Sequence, residues 1–284
     1  MAELEEIIPK LQANYILELA SKGMRIDGRD FDSYRPISIE VGFAEKAEGS
    51  AKVSLGATQV IVGVKVSIGS PFPDTPDRGI LITNAELVPT ASPTFEPGPP
   101  NENAIELSRI IDRTLRESHA IPLDKLVIEE GKEVWEIWID IHVIDYDGNL
   151  IDASMIGALA ALLTTKIPED RYGYGSEPQP LELNCLPLTT TFVRLGKHLV
   201  VDPNLIEEKL SNVRITVGMN EKGIISSIQK SNSGFIDFDE VEKIINKTKI
   251  KTTELRELVL KSVCLLYTSD AADELDGVDL GGRR

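Results

Sequence analysis

The most constraining feature of the chain is a run of alternating residues near its middle. Apolar side chains recur at every second position within residues 134–146. Because successive side chains of a β-strand point to opposite faces, this run predicts one long strand with a single buried face. That face comprises Trp135, Ile137, Ile139, Ile141 and Val143. The small-residue apolar segment that follows, residues 151–165, predicts a helix packed closely on the sheet.

Strand-like runs lie on both sides of this element. Residues 37–87 carry short β-rich runs separated by Gly, Pro and Asp, which predict an antiparallel meander, and a second β-rich block spans residues 189–230. Three further helices are predicted over residues 3–22, with a firm start near Pro9, over 103–118, and over 237–263. Groups of strands followed by helices indicate an α+β fold with mixed or antiparallel sheets, rather than a doubly wound parallel sheet.

Composition excludes several classes of protein. The formal net charge of -16 argues against binding nucleic acid over the whole surface, although a local basic site is allowed. Cys185 and Cys264 lack disulfide-framework or zinc-site spacing, and Cys185 is predicted to lie in the core. No apolar run is long enough for a membrane span, and the acidic first residues do not resemble a signal peptide. We therefore expect a cytoplasmic protein without metal or cofactor.

The helix over residues 103–118 carries the strongest candidate site. Arg109, Arg113 and Arg116 stand at i, i+4 and i+7, which is one face of a helix. Guanidinium groups suit phosphate oxygens, so the stripe can bind an RNA backbone or another anion. The alternative is a solvated face paired with neighbouring acids, and spacing alone favours that alternative.

Other patterns do not predict a catalytic or metal site. Asp145, Asp147 and Asn149 mimic the first half of a calcium loop, but Leu150 and Ile156 stand where glycine and a bidentate glutamate belong. A turn with solvated carboxylates, including Asp152, is the better interpretation. The three histidines are scattered, no nucleophile elbow accompanies them, and no glycine-rich phosphate loop is present.

Several motifs together resemble the RNase PH family. They are RIDGR at residues 25–29, Arg35-Pro36, GSAKV at 49–53, GAT at 56–58, and FEPGPP at 95–100 leading into NAIE at 103–106 and Arg109. The set covers about residues 20–262 and is most similar to the non-catalytic ring subunits of archaeal exosomes. The resemblance implies an RNase PH fold of the ribosomal protein S5 domain 2-like type. It further implies an N-terminal arm at residues 1–30, domains at 31–167 and 183–263, and a linker at 168–182.

The resemblance also implies a function. Such subunits alternate with a catalytic paralogue in a hexameric ring, a trimer of heterodimers that carries an RNA-binding cap subunit and degrades RNA from its 3′ end with phosphate. By this resemblance Arg109 and Arg113, and less clearly Arg116, bind the RNA backbone. Catalytic relatives hold phosphate with a Gly-Ser-Arg segment, where this chain has residues 148–150 with Leu150 in place of arginine. Arg214 stands where they carry an acid, and arginine cannot act as a general acid near neutral pH.

The sequence therefore predicts a subunit with no catalytic residues of its own. The alternative is a catalytic phosphorolytic exoribonuclease that uses Asp202, Glu207 or Glu208 instead. A small-molecule kinase of the broader fold is a third possibility, against which the missing phosphate loop argues. Residues 264–284 resemble translated sequencing-adapter DNA, in particular CLLYTSDAADE and VDLGGRR, and are not expected to be native.

Overall fold

The computed structural model describes residues 10–276, with side chains described up to residue 265. The helices are α1 (Lys10–Ser21), α2 (Glu102–Glu117), α3 (Leu150–Thr164), α4 (Glu169–Tyr172), α5 (Leu205–Leu210) and α6 (Phe238–Asp276), and a 3-10 turn spans Leu123–Leu126. The strands are β1 (Ile37–Val41), β2 (Gly49–Leu55), β3 (Thr58–Gly69), β4 (Ile80–Leu87), β5 (Val127–Glu129), β6 (Glu133–Asp145), β7 (Lys166–Ile167), β8 (Gln179–Pro180), β9 (Leu188–Leu195), β10 (His198–Val201), β11 (Arg214–Met219) and β12 (Ile225–Ser231). None of the described helices is long and apolar enough to cross a membrane.

The first sheet has the order β1-β2-β3-β6-β4, with β5 paired to the edge of β6. Strands β5 and β6 form an antiparallel hairpin. The predicted antiparallel meander over residues 37–87 is wrong at its last strand. Strand β4 pairs with β6, in parallel, and not with β3. The reason is the connection that follows β4. It passes through α2 before β6, and such a crossover returns the chain parallel to its starting strand.

The core lies between this sheet and α3. The five predicted inward residues of β6 are all buried, and 12 of the 15 residues of α3 are buried as well. A side chain at Gly157 of α3 would bring its Cβ to 2.7 Å from Cγ2 of Val62 on β3. Glycine thus permits the close approach of helix and sheet that the small-residue composition predicts.

The second sheet is antiparallel throughout, in the order β10-β9-β11-β12. Helix α6 packs across β9 and β11 and also contacts α3, so it joins the two halves of the structure. It extends past the predicted end at Val263 as far as Asp276, because no Gly or Pro interrupts the sequence before residue 277. Helix α2 contacts both β4 and β12 and therefore lies between the two sheets.

The N-terminal arm and the segment that follows it are fixed by buried ion pairs to α5 and to the turn that precedes it. Helix α1 ends as predicted, with Gly23 at a positive φ of 78°, whereas residues 3–9 of the predicted helix lie outside the described part. Arg25 donates from Nε to Oε1 of Glu207 at 2.9 Å. Arg35 donates to both carboxylate oxygens of Asp202, at 2.9 and 2.8 Å. The arginines of the sequence motif thus hold the arm against the second half of the chain.

Candidate nucleic-acid interface

Helix α2 carries the predicted arginines and is fixed at its start. The side chain of Asn101 accepts a hydrogen bond from the backbone N–H of Ala104 at 3.0 Å, which makes it the N-cap. One face of the helix is buried, namely Ala104, Leu107, Ile110, Ile111, Thr114 and Leu115. The Thr114 hydroxyl lies 2.7 Å from that of Ser227 on β12. The opposite face is therefore presented from a helix of defined position.

Arg109 and Arg113 stand together on the open side of this helix. Both are exposed, and both line a groove of about 280 Å³ between α2 and β12, with Ser227, Ile228 and Gln229 on the other wall. Neither guanidinium makes a hydrogen bond or ion pair with any residue in the described part of the chain. Four residues apart, their side chains are neighbours on the helix surface. The arrangement leaves two adjacent cations with unused donors.

Arg116 has different surroundings from the other two arginines. Its Nε and Nη2 donate to the two carboxylate oxygens of Asp112 at 3.1 and 2.8 Å, and Nη2 also donates to the carbonyl of Leu81 at 2.9 Å. Most of its donors are thus already in use. RNA binding by Arg116 stays a prediction. The surroundings of Arg116 favour RNA binding less than those of Arg109 and Arg113 do.

The solvated-face alternative pairs the arginine stripe with neighbouring acids. Glu106, however, does not pair with the stripe. It accepts from Nη2 of Arg214 at 2.7 Å and from the hydroxyl of Ser231 at 2.7 Å, so it ties α2 to β11 and β12. Burial raises the pKa of Glu106, but Arg214 and these hydrogen bonds outweigh burial and lower it below its usual value. Arg214 therefore has a structural partner one helical turn from Arg109.

A second cavity, of about 210 Å³, adjoins this ion pair. Arg214 and Leu150, the two positions at which the resemblance implied a departure from catalytic relatives, both line it, together with Tyr146, Glu208 and other residues of α2, α3 and α5. Leu150 presents only an apolar side chain. The amide of Asn149 is directed elsewhere, donating to Asp152 at 3.0 Å and Asp202 at 2.7 Å. The side chains of residues 149 and 150 thus supply no phosphate ligand to the cavity.

Of the three acids considered as substitutes, Glu208 alone lines this cavity. Asp202 and Glu207 are buried in their pairs with Arg35 and Arg25. Glu208 accepts from the backbone N–H of Asn149 at 2.9 Å and from the hydroxyl of Tyr146 at 3.0 Å. Local sequence patterns do not identify Tyr146 as a partner of Glu208, because the pairing joins residues 62 positions apart.

Asp152 is not a solvated carboxylate, and that prediction is wrong. It is fully buried in the first turn of α3 and accepts from the hydroxyls of Tyr34, Thr189 and Thr191. Helix α3 begins at Leu150, one residue after the turn, and this directs Asp152 inward.

No cluster of metal-ligating side chains occurs among the described residues. Cys185 is buried, as predicted.

Comparison with known proteins gives consistent matches along the chain. Residues 33–168 match the family model of the 3′ exoribonuclease family, domain 1, and residues 185–250 match domain 2. "Exosome complex component Rrp42" of Methanocella arvoryzae is 51% identical over 253 residues, covering 89% of this chain and 97% of the relative. The protein of the same name from Thermococcus kodakarensis is 50% identical, covering 93% and 99%.

Solved structures agree with these relatives. A chain of the Archaeoglobus fulgidus exosome, described with RNA bound to the active site, superposes with a TM-score of 0.85 at 46% identity, covering 87% of this chain and 97% of the other. A chain of an archaeal exosome core gives 0.81 at 42% identity, covering 88% and 96%. Rice Rrp46 gives 0.65 at 16% identity and shows the shared fold alone.

Proposed function

Because the chain belongs to the 3′ exoribonuclease, or RNase PH, family, we propose that it is the non-catalytic ring subunit of an archaeal-type exosome. In this role it binds the RNA backbone through Arg109 and Arg113 and contributes to a composite active site. The observation that carries the proposal is the pair of exposed guanidinium groups held side by side on α2, neither of which is paired within the described residues. Relatives that bear the name of an exosome component, at about half identity over nearly the whole chain, support it.

The partners follow from the same proposal. A catalytic paralogue alternates with this chain in a hexameric ring, a trimer of heterodimers, and an RNA-binding cap subunit completes the assembly in the cytoplasm. The strongly acidic surface is compatible with RNA binding, because a strand inside the ring meets only a few arginines of each subunit. We further propose that the chain has two domains, at residues 31–167 and 183–263, joined by a linker at residues 168–182.

The lack of catalysis is supported by the cavity beside α2. Leu150 offers no phosphate ligand, and Arg214, paired with Glu106, cannot donate a proton near neutral pH. The purified chain should show no phosphate-dependent RNA degradation, and addition of the catalytic paralogue should produce an active ring. Robust phosphorolysis by the verified single subunit would instead favour the alternative of a catalytic exoribonuclease, with Glu208 as the acid to test.

A further inference from the structure

Two exposed tyrosines lie against a buried tryptophan at one end of the first sheet. The rings of Tyr172, the last residue of α4, and Tyr174 meet the ring of Trp135 edge-on, with centroids 5.4 and 6.1 Å from that of Trp135. The tyrosines are 39% and 49% exposed, whereas Trp135 is 5% exposed. The Tyr174 hydroxyl also donates to Glu133 at 2.6 Å. Both rings are therefore held in place while much of their surface stays open to solvent.

A third exposed aromatic side chain, that of Phe72, lies at the same end of the sheet and is 56% exposed. It belongs to the loop that follows Gly69, the last residue of β3, which pairs with Val134 near the start of β6. The same loop contacts the β5–β6 turn, where Gly131 donates its N–H to the carbonyl of Pro76 at 3.0 Å. Aromatic residues are enriched at protein interfaces, so a group of exposed ones marks a binding surface. We call this group, Phe72, Tyr172 and Tyr174, the aromatic surface.

Acidic residues surround the aromatic surface. The segments that carry or border it contain eight carboxylates and three cations, which gives a local net charge of -5; they are residues 70–79, 129–133 and 169–177. Two of the cations, Lys132 and Arg171, are each already paired with a glutamate. Several of the carboxylates make no ion pair in the described part of the chain, namely Asp74, Glu130 and Glu177.

The charge around the rings determines what they can bind. Exposed tyrosine rings bind either a nucleic-acid base by stacking or a cation on the ring face. Unpaired carboxylates repel the phosphates of RNA, whereas they attract guanidinium and ammonium groups. Arginine suits both features of the surface, because its guanidinium stacks on an aromatic ring and also donates hydrogen bonds to a carboxylate.

We propose that the aromatic surface binds an arginine-bearing segment of a partner protein. In such a complex a guanidinium lies over the ring of Tyr172 or Tyr174 and donates to a nearby carboxylate such as that of Glu133. Phe72 adds an apolar contact to the same segment. The aromatic surface includes no residue of α2 or β12, so this interaction is separate from the proposed RNA contact.

The test is binding of a fluorescein-labelled hexa-arginine peptide to the full-length chain alone, measured by fluorescence anisotropy. Y172A/Y174A should raise the Kd about 5- to 30-fold, because two exposed cation–π contacts are lost. Y172F/Y174F, which keeps both ring faces, should bind within about twofold of the wild type. Tyr15→Ala, which removes an exposed tyrosine of α1, is the matched control and should behave as the wild type.

Phe72→Ala, in a separate loop, is a second variant and should also weaken peptide binding. Circular dichroism should show that the variants are folded, since all three rings lie at the surface. A wild-type chain that does not bind the peptide would overturn the proposal, as would Y172A/Y174A and F72A variants that bind it as tightly as the wild type.

Labelled oligouridine is the second probe and distinguishes a protein partner from RNA. Its binding should be the same for the wild type and Y172A/Y174A. If Y172A/Y174A weakened oligouridine binding and left peptide binding unchanged, the surface would be a stacking platform for RNA and the proposal would be overturned. Because Arg109 and Arg113 are intact in every variant, the result is independent of the proposed function.

Discussion

Replacing both free arginines of α2 by alanine, R109A/R113A, tests the proposed RNA contact most directly. The two side chains lie on the exposed face of the helix and make no hydrogen bond or ion pair in the described part of the chain. Their loss therefore removes no contact that stabilises the fold. Surface substitutions of this kind usually change stability by no more than about 0.5 kcal/mol, so assembly with the catalytic partner should be unaffected.

The size of the effect follows from the number of charges. Each cation that neutralises a phosphate of a single strand contributes about 0.7 to the slope of log K against log salt concentration, so two give about 1.4. Exposed charged contacts contribute about 0.2–1 kcal/mol each, hence about 0.4–2 kcal/mol for the pair. That corresponds to about a 2- to 30-fold rise in Kd. The effect should shrink as salt is added.

The assay is fluorescence anisotropy with a single-stranded RNA and the reconstituted ring, using a catalytic partner inactivated by mutation, at several salt concentrations. Arg116→Ala is the matched control, because Arg116 is already engaged by Asp112 and the carbonyl of Leu81. It should change the affinity and the salt slope much less than the double variant. Unchanged affinity and slope in an intact R109A/R113A ring would refute the assignment, and an equal effect of R116A would restore the three-arginine stripe.

Three further predictions concern the structure that supports the site. Gly157→Ala should destabilise the chain by about 1–2 kcal/mol in urea unfolding, because overpacking against Val62 exceeds the gain in helix propensity. Gly63→Ala, whose Cβ would meet open space, should not show this steric penalty. Arg35→Ala should cost no more than about 3–5 kcal/mol of unfolding free energy, since buried Asp202 loses its bidentate partner but keeps Arg29 and Asn149 as donors, and a loss below about 1 kcal/mol would contradict the pairing. Glu106→Gln should lower thermal stability at pH 7, because the folded-state pKa of Glu106 is depressed. The difference from the wild type should shrink as the pH falls below the ordinary glutamate pKa of 4.5, since protonation removes the wild-type advantage. A stability difference that stayed constant down to pH 3 would show that the charge of Glu106 is not involved.

Local pattern was sufficient for much of the fold. Alternation in residues 134–146 predicted β6 and its buried face, and small residues predicted that α3 would pack closely on a sheet. The cap residues Asn101 and Gly23 lie at the ends of α2 and α1, and such caps depend on groups only a few residues away. The i, i+4 spacing likewise placed Arg109 and Arg113 on one face of α2 before any tertiary contact was known.

Contacts between distant segments decided the rest. The parallel pairing of β4 with β6 depends on a crossover of the chain, which periodicity within a strand does not report. Asp152 has the composition of a surface turn, but three hydroxyls from other segments meet it in the core. Glu208 looked like one of several exchangeable acids until α5 placed it against Asn149 and Tyr146.

The arginine stripe divides between these two kinds of information. The sequence by itself determined that three guanidinium groups share a helix face, since helical geometry is local. The pair of Arg116 with Asp112 four residues earlier is local as well. Only the tertiary structure decided that Arg116 also donates to the carbonyl of Leu81 on β4, while Arg109 and Arg113 open onto a groove beside β12. Which donors remain available to a ligand thus depends also on which distant strands the fold brings within hydrogen-bonding distance.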